Sequence, residues 1–351
     1  MPGKIGNVEL YMGPKEVGGQ DDLCDAIVKF IDGAKKKLDI AVQELDCKRI
    51  TDAIIRARKR KVVVRLVLEA SYLTLDKPRT DPYTPGGENE MNRFLHDAIL
   101  RSAINVHSDF NPQIFHQKFI VRDGSAVLTG STNFTDTDVT RNLNHIVIVH
   151  DRKVANTYAR EYDEIQQGHF GKLNEGHDEK PRDVEVSNLP IRMAFAPDHN
   201  PEMEIMKQML KAKKRVDFAI FTFAQSSGID DTMIQLTGAK LKVRGALDGA
   251  QANQKWAAGR PVKNAGAELY SVPKNGNVGK LHHKLMVIDE QVIIAGSFNY
   301  TGPANKLNDE NIIVIGDMES TKAGSINAQK KLAKYALDEI DRIIKTFGVK
   351  M

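Results

Sequence analysis

At 351 residues and 41% apolar content, the chain can bury a large core and has room for two ordinary domains. Fifty Lys and Arg against 46 Asp and Glu leave a net charge of +4, too slight to demand a polyanionic partner and no obstacle to one. No eighteen apolar residues follow one another, which excludes an apolar membrane-spanning helix, and Cys24 and Cys47, without metal-ligand spacing, read as reduced structural thiols.

Residues 1–23 mix Gly, Lys, Glu and Asp with no apolar run of signal-peptide length, so the expectation is a cytoplasmic protein. Residues 34–42 read as a basic helix end running into an apolar strand, and residues 51–60 and 62–68 as a second helix and strand. The basic run 56–61 suits the last turn of that helix. Residues 71–90 hold Pro78, Pro82, Pro85, Gly86 and Gly87 and form a loop, a candidate wall for a substrate cleft. A motif follows at 116–133: His116-x-Lys118, four residues, Asp123, six residues, Gly130-Ser131-x-Asn133. Residues 154–165 form an amphipathic helix with Tyr158, Tyr162 and Ile165 on its buried side. The polar stretch 171–190 is a linker, dividing a first domain (1–170) from a second (191–351).

The second domain repeats the first. Residues 212–220 resemble 34–42, a helix over 230–236 leads into a strand over 241–247, and the motif returns at 282–299 as His282-x-Lys284, Asp289, Gly296-Ser297-x-Asn299. A helix over 326–347, with Leu332, Tyr335, Ala336, Ile340, Ile343 and Ile344 on one side, matches that over 154–165, and each packs on its own domain. Early parts align at an offset of 178 (Val216 on Leu38) and the motifs at 166 (His282 on His116), so the twelve extra residues fall in the loop 71–90. Strands alternating with helices imply an α/β fold: two similar domains, each a mixed sheet flanked by helices.

Read as a strand, the motif puts His116 and Lys118 on one face and Phe119 and Val121 on the other; His283 falls on the core side and is structural. The next strand brings back Ser131 and Asn133, and in the second copy Ser297 and Asn299. Two lysines, two amides and two hydroxyls suit the oxygens of a phosphoryl group; of two imidazoles, one can attack phosphorus and the other protonate the leaving oxygen. Neither a metal nor a cofactor is called for. The remaining histidines, His96, His107, His145, His150, His169, His177 and His199, have no ligand spacing and read as surface or core residues; Trp256 and Phe110 could stack on a substrate but more commonly such aromatics pack in a core.

The doubled motif resembles the signature of the phospholipase D superfamily, and the resemblance covers nearly the whole chain. It implies two α/β domains meeting at one cleft and a phosphohistidine intermediate. His116 and His282 would be nucleophile and acid, Lys118, Lys284, Asn133 and Asn299 would bind phosphate, Ser131 and Ser297 would support it, and Asp123 and Asp289 would be structural. A carboxylate that orients the histidine is expected at Glu310 for the second half; the first half has Asn144 there instead. This difference suits His282 as the first-step acid and His116 as the nucleophile, although a basic partner also sharpens a nucleophile. A lipid enzyme would present an apolar rim or interfacial helix, and neither is legible. The basic clusters at 56–61 and 211–215 then favour an endonuclease cutting nucleic acid, DNA before RNA, with a helicase or other protein as a conceivable partner; a phospholipase D or transphosphatidylase is the alternative, and a silent phosphate-binding scaffold the third reading. One chain supplies both half-sites, so a monomer suffices.

Overall fold

The computed structural model describes residues 2–174, 176 and 180–351, so His177 lies outside the described residues. The first sheet contains β1 (Gly3–Ile5), β2 (Val8–Gly13), β3 (Lys37–Val42), β4 (Val63–Glu69), β5 (Val106–Asp109), β6 (Lys118–Arg122), β7 (Ala126–Gly130) and β8 (Asn144–Val149). The second contains β9 (Val184–Val186), β10 (Leu189–Ala196), β11 (Arg215–Ile220), β12 (Lys242–Asp248), β13 (Glu268–Val272), β14 (Lys284–Ile288), β15 (Val292–Gly296), β16 (Glu310–Ile315) and β17 (Val349–Lys350). Strand β9 falls inside the stretch 171–190 read as a linker.

The strand orders are β1-β2-β8-β7-β6-β3-β4-β5 and β17-β13-β12-β11-β14-β15-β16-β10-β9. In each, a parallel set (β3-β4-β5, β11-β12-β13) joins an antiparallel meander through the motif strand, β6 or β14. The motif aspartates explain that junction. Asp123 accepts the backbone N–H groups of Lys35, Lys36 and Lys37, and Asp289 those of Lys213, Lys214 and Arg215, so each carboxylate fixes the entry of the neighbouring parallel strand. Burial is two-sided, as central strands of an α/β sheet require.

Each outer face is covered as the helical periodicity predicts. Helices Leu23–Asp32 and Lys48–Lys59 bury Ile27, Ile31, Ile50 and Ile54 against Leu38, Ile40 and Ile120. In the second half, Ile205, Met209, Ile229 and Met233 cover Val216, Phe218 and Met286. The inner faces differ from expectation. Helix Arg152–Gln166 packs on β3, β6 and β7 and also on β10; helix Ala323–Phe347 packs on its own sheet and also on β1 and β2. Both helices are therefore shared between the halves, because the two inner sheet faces form one core with them: Phe119, Val121, Tyr158 and Tyr162 join Leu285, Val287, Leu332 and Ile340. Full burial of each such side chain contributes about 1.5–3 kcal/mol. None of the helices among the described residues is long and apolar enough to cross a membrane.

Candidate active site

The motif strands begin at the lysines, not at the histidines: β6 starts at Lys118 and β14 at Lys284. His116 and His282 occupy the preceding segments, where the chain leaves its own sheet and pairs with the other half. Phe115 bridges Asp309 and Leu281 bridges Leu143; His116 N–H donates to Asp309 O at 3.0 Å and His282 N–H to Leu143 O at 2.9 Å. Asp309 and Leu143 each precede an orienting residue, so this pairing decides which histidine that residue meets.

The orienters are crossed. His116 Nδ1 lies 2.7 Å from Glu310 Oε2, and His282 Nδ1 lies 3.0 Å from Asn144 Oδ1. The expectation that Glu310 serves His282, and Asn144 His116, is corrected: each residue serves the histidine of the other half. Spacing along the chain could not show this, since the pairing spans 194 residues in one case and 138 in the other. The serines hold the orienters from their own half: Ser131 Oγ–H donates to Asn144 Oδ1 at 2.7 Å and Ser297 Oγ–H to Glu310 Oε2 at 2.6 Å. Gly130 and Gly296 make this possible. Their φ values are +151° and +139°, and a Cβ at either would stand 2.3 Å from the carbonyl oxygen of His145 or Asn311 on the neighbouring strand.

His116, His282, Asn133 and Asn299 line one cleft of about 590 Å³, and the buried Oδ1 atoms of both asparagines have no hydrogen-bond partner among the described residues. Lys118 and Lys284 are almost wholly buried beside the histidines. Lys118 Nζ donates to Gln43 Oε1 and His116 O, and Lys284 Nζ to His282 O. Thus His116, Lys118, Asn133, His282, Lys284 and Asn299 converge, while Ser131, Asn144, Ser297 and Glu310 brace them from behind.

Burial, reinforced by the two lysines, holds both imidazoles well below their usual pKa. Burial also lowers Lys118 to about 8 and pulls Lys284 well down, with Lys118 as its second cause. It lifts Glu310 to about 8, against the opposing pull of Lys118 and Ser297. The resting rings are therefore neutral. Asn144 Nδ2 donates to two backbone carbonyls, so its Oδ1 is the atom facing His282; Nδ1 of His282 must be the donor, leaving the Nε2 lone pair free. His116 turns the same ring nitrogen toward Glu310.

Sequence reasoning missed the rest of the lining. Gln43, Glu44 and Asp46 at the end of β3 face Phe221 and Thr222 at the end of β11, and Asp138 and Lys280 complete the walls. Burial, then Asp138 and Asp46, lift Glu44 to about 7. Phe221 packs edge-on against His282, with the ammonium of Lys284 5.1 Å from its ring centre. Comparing aligned positions beyond the motif would have flagged these, since Glu44 stands opposite Thr222 and Asp138 opposite Ala304. Of the loop 71–90, only Tyr72 lines the cleft. Phe110 is 85% exposed beside it, and Trp256 is not among the lining residues. His283 is buried, stacked on His145 with ring centres 5.4 Å apart. Away from the cleft lining, Glu161, Glu164 and Asp198 form the one group among the described residues whose ligand atoms could gather round a metal ion.

Two α/β halves that each lend a histidine, a lysine and a serine–asparagine pair to a shared cleft define a two-lobed phospholipase D-like protein. The chain matches the family described as cardiolipin synthase, PLD-like domain, over residues 27–166 and again over 205–331, and it belongs to that family within the phospholipase D superfamily. It is 31% identical over 136 residues to a phospholipase D of Rickettsia felis, covering 39% of this chain and 60% of that protein. It is 28% identical over 135 residues to a mitochondrial cardiolipin hydrolase of Xenopus tropicalis, covering 38% and 56%. The chain thus spans somewhat over half the length of these relatives. The fold is also that of phosphatidylserine synthase from Haemophilus influenzae, with a TM-score of 0.67 at 13% identity over 98% of this chain and 87% of the other.

Proposed function

We propose that the protein is a phosphodiesterase that works through a phosphohistidine on His116, with His282 as acid and then base. The observation that carries this reading is the pair of neutral imidazoles, each with Nδ1 held by a residue of the other half, in one cleft with two buried lysines. Lys118, Lys284, Asn133 and Asn299 grip the non-bridging oxygens, whose negative charge offsets the lysine field and lets His282 take up a proton. Nε2 of His116 attacks phosphorus, the P–O bond to the leaving alcohol breaks, and His282 gives that oxygen its proton. Water then loses a proton to His282 as it attacks the phosphohistidine, and Nε2 of His116 leaves. Attack leaves the His116 ring cationic, which the carboxyl of Glu310 stabilises better than an amide could.

Phospholipid is the substrate class this cleft supports best. The basic clusters that favoured a nuclease sit at the opposite ends of β3, β4 and β11 from the lysines, roughly 20 Å away. Arg56 and Arg60 pair with Asp32, and Lys211 with Glu319. An apolar groove lined by Phe110, Pro112, Phe170, Leu173 and Leu307 adjoins the cleft and shares Pro112 and Gln113 with it; this is the rim that was not legible in the sequence. Carboxylates at Glu44, Asp46 and Asp138 also disfavour a polyanion. The test is incubation in excess EDTA with mixed phosphatidylcholine and phosphatidylglycerol vesicles, single- and double-stranded DNA, and RNA, beside His116→Ala and His282→Ala. Lipid turnover that both substitutions remove is expected. Nucleic-acid cleavage with intact lipid would overturn the substrate assignment, and no cleavage of any substrate would overturn the phosphodiesterase.

A further inference from the structure

The two halves do not orient their histidines alike. Glu310 gives His116 a carboxyl partner, whereas the equivalent Asn144 gives His282 only an amide. The first half has a carboxylate that the second lacks. Asp138 stands opposite Ala304 in the repeat, and its Oδ2 is 3.4 Å from His282 Nδ1, the same ring nitrogen that Asn144 meets at 3.0 Å. We propose that Asp138 is a positioning residue for His282, supplying from a neighbouring position the negative charge that Asn144 withholds. The two halves then achieve one end by different means: carboxylate at the orienting position with Ala304 beside it, or amide at that position with Asp138 beside it.

The surroundings of Asp138 hold it in this role. It is buried, its Oδ2 accepts the backbone N–H of Asn133 at 2.7 Å, its Oδ1 accepts from Asn142 Nδ2, and its own N–H is capped by Thr135 Oγ1. One carboxylate thus touches both the histidine and the backbone of an asparagine that faces the cleft. The charges around His282 make such help necessary. Burial opposes an imidazolium most, and Lys284, Lys118, His116 and Lys280 oppose it further, while Asp138 is the carboxylate within ion-pair distance of the ring among the described residues. An acid that must be protonated in this field gains from a negative charge at Nδ1, because the charge stabilises the ring until Nε2 delivers its proton to the leaving oxygen. At the equivalent site Ala304 offers Asn299 no carboxylate, and His116 has the carboxyl group of Glu310 as its partner.

This inference rests on His282 acting as the acid, so the experiment reads the ring as well as turnover. Asp138→Asn, Asp138→Ala and the double variant Asp138→Ala/Asn144→Glu are compared with wild type in two measurements. One is kcat on bis(4-nitrophenyl) phosphate and on phosphatidylcholine; the other is the NMR titration of the His282 ring nitrogens in saturating inorganic phosphate, assigned with His282→Ala. Asp138→Asn should lower the titration midpoint of His282 by about one pH unit or more, the effect of removing a charge at this range. Asp138→Ala should lose roughly 10- to 100-fold in kcat, the usual worth of a general acid being ~10²–10⁴. Adding Asn144→Glu should recover at least tenfold of that loss and raise the midpoint again, which a purely structural role for Asp138 would not produce. An unmoved midpoint in Asp138→Asn, or a double variant no better than Asp138→Ala, overturns the proposal. Should wild type turn over neither substrate, the phosphodiesterase reading fails, and the titration still decides whether Asp138 charges the ring. Should Asp138→Ala not fold, the near-isosteric Asp138→Asn carries the same midpoint test.

Discussion

Glu310→Gln separates the chemistry of the crossed pair from its stability. The amide can still accept from His116 Nδ1 at the 2.7 Å position, but unlike the carboxyl it cannot ionise in answer to a phosphorylated, cationic ring. A hydrogen bond to a charged group contributes about 1.5–3 kcal/mol, so kcat should fall by roughly 10- to 150-fold. Stability should move the other way. Glu310 titrates at about 8 in the fold against an ordinary 4.5, so below pH 4.5 it is protonated in both states and wild type and variant should match. Between those values the unfolded chain ionises while the folded one holds its proton, and wild-type stability falls by about 1.4 kcal/mol per pH unit relative to the variant. By pH 7 the variant should be the more stable by something on the order of 3 kcal/mol, and beyond pH 8 the gap should level off. Urea unfolding at pH 5, 6, 7 and 8 reads the stability. Rapid quench into base, with mass spectrometry of the His116 peptide, reads the phosphorylation step. A variant less stable than wild type throughout, a kcat within threefold of wild type, or a defect confined to His282 would refute the reasoning.

Two further outcomes follow from the same geometry. Gly130→Ala sets a Cβ 2.3 Å from the carbonyl oxygen of His145 at a φ that side chains resist, and should destabilise the fold by about 3 kcal/mol or more in thermal or urea unfolding. In the core between the halves, the His145–His283 pair is matched by Asn311 donating to Gln117 Oε1 at 2.7 Å. His145→Asn and His283→Gln should each destabilise by about 1–3 kcal/mol, and together should recover at least ~1 kcal/mol of the summed loss by rebuilding the Asn–Gln pair, measured as a double-mutant cycle.

Much of this was legible in the chain. The repeat carried the fold class, because a strand-and-helix plan written twice allows few arrangements, and the helix Ala323–Phe347 announced itself by its apolar spacing. That His116, Lys118, Asn133 and their counterparts belong together was legible because the same residue types recur at the same spacing in both halves. The crossed orienters were not, since nothing in local spacing encodes which half a segment pairs with once it leaves its sheet. Asp138, Glu44 and Phe221 escaped for a different reason: they lie where the two copies disagree, and a reading built on what recurs passes over them. The position of the basic clusters was not legible either, because a cation count is blind to where the cations lie, and these sit at the far ends of the strands from the motif lysines.

The crossing has a consequence for the history of such a chain. A polypeptide carrying one half alone would have no orienter for its own histidine and could complete the site only by embracing a second copy. In that state every change is made twice, once on each side of the axis. Joining the copies in one chain lifts that obligation, and the two sides here have diverged: Glu310 with Ala304 on one, Asn144 with Asp138 on the other. Covalent linkage thus allows each histidine its own set of partners, something an assembly of identical halves could not do.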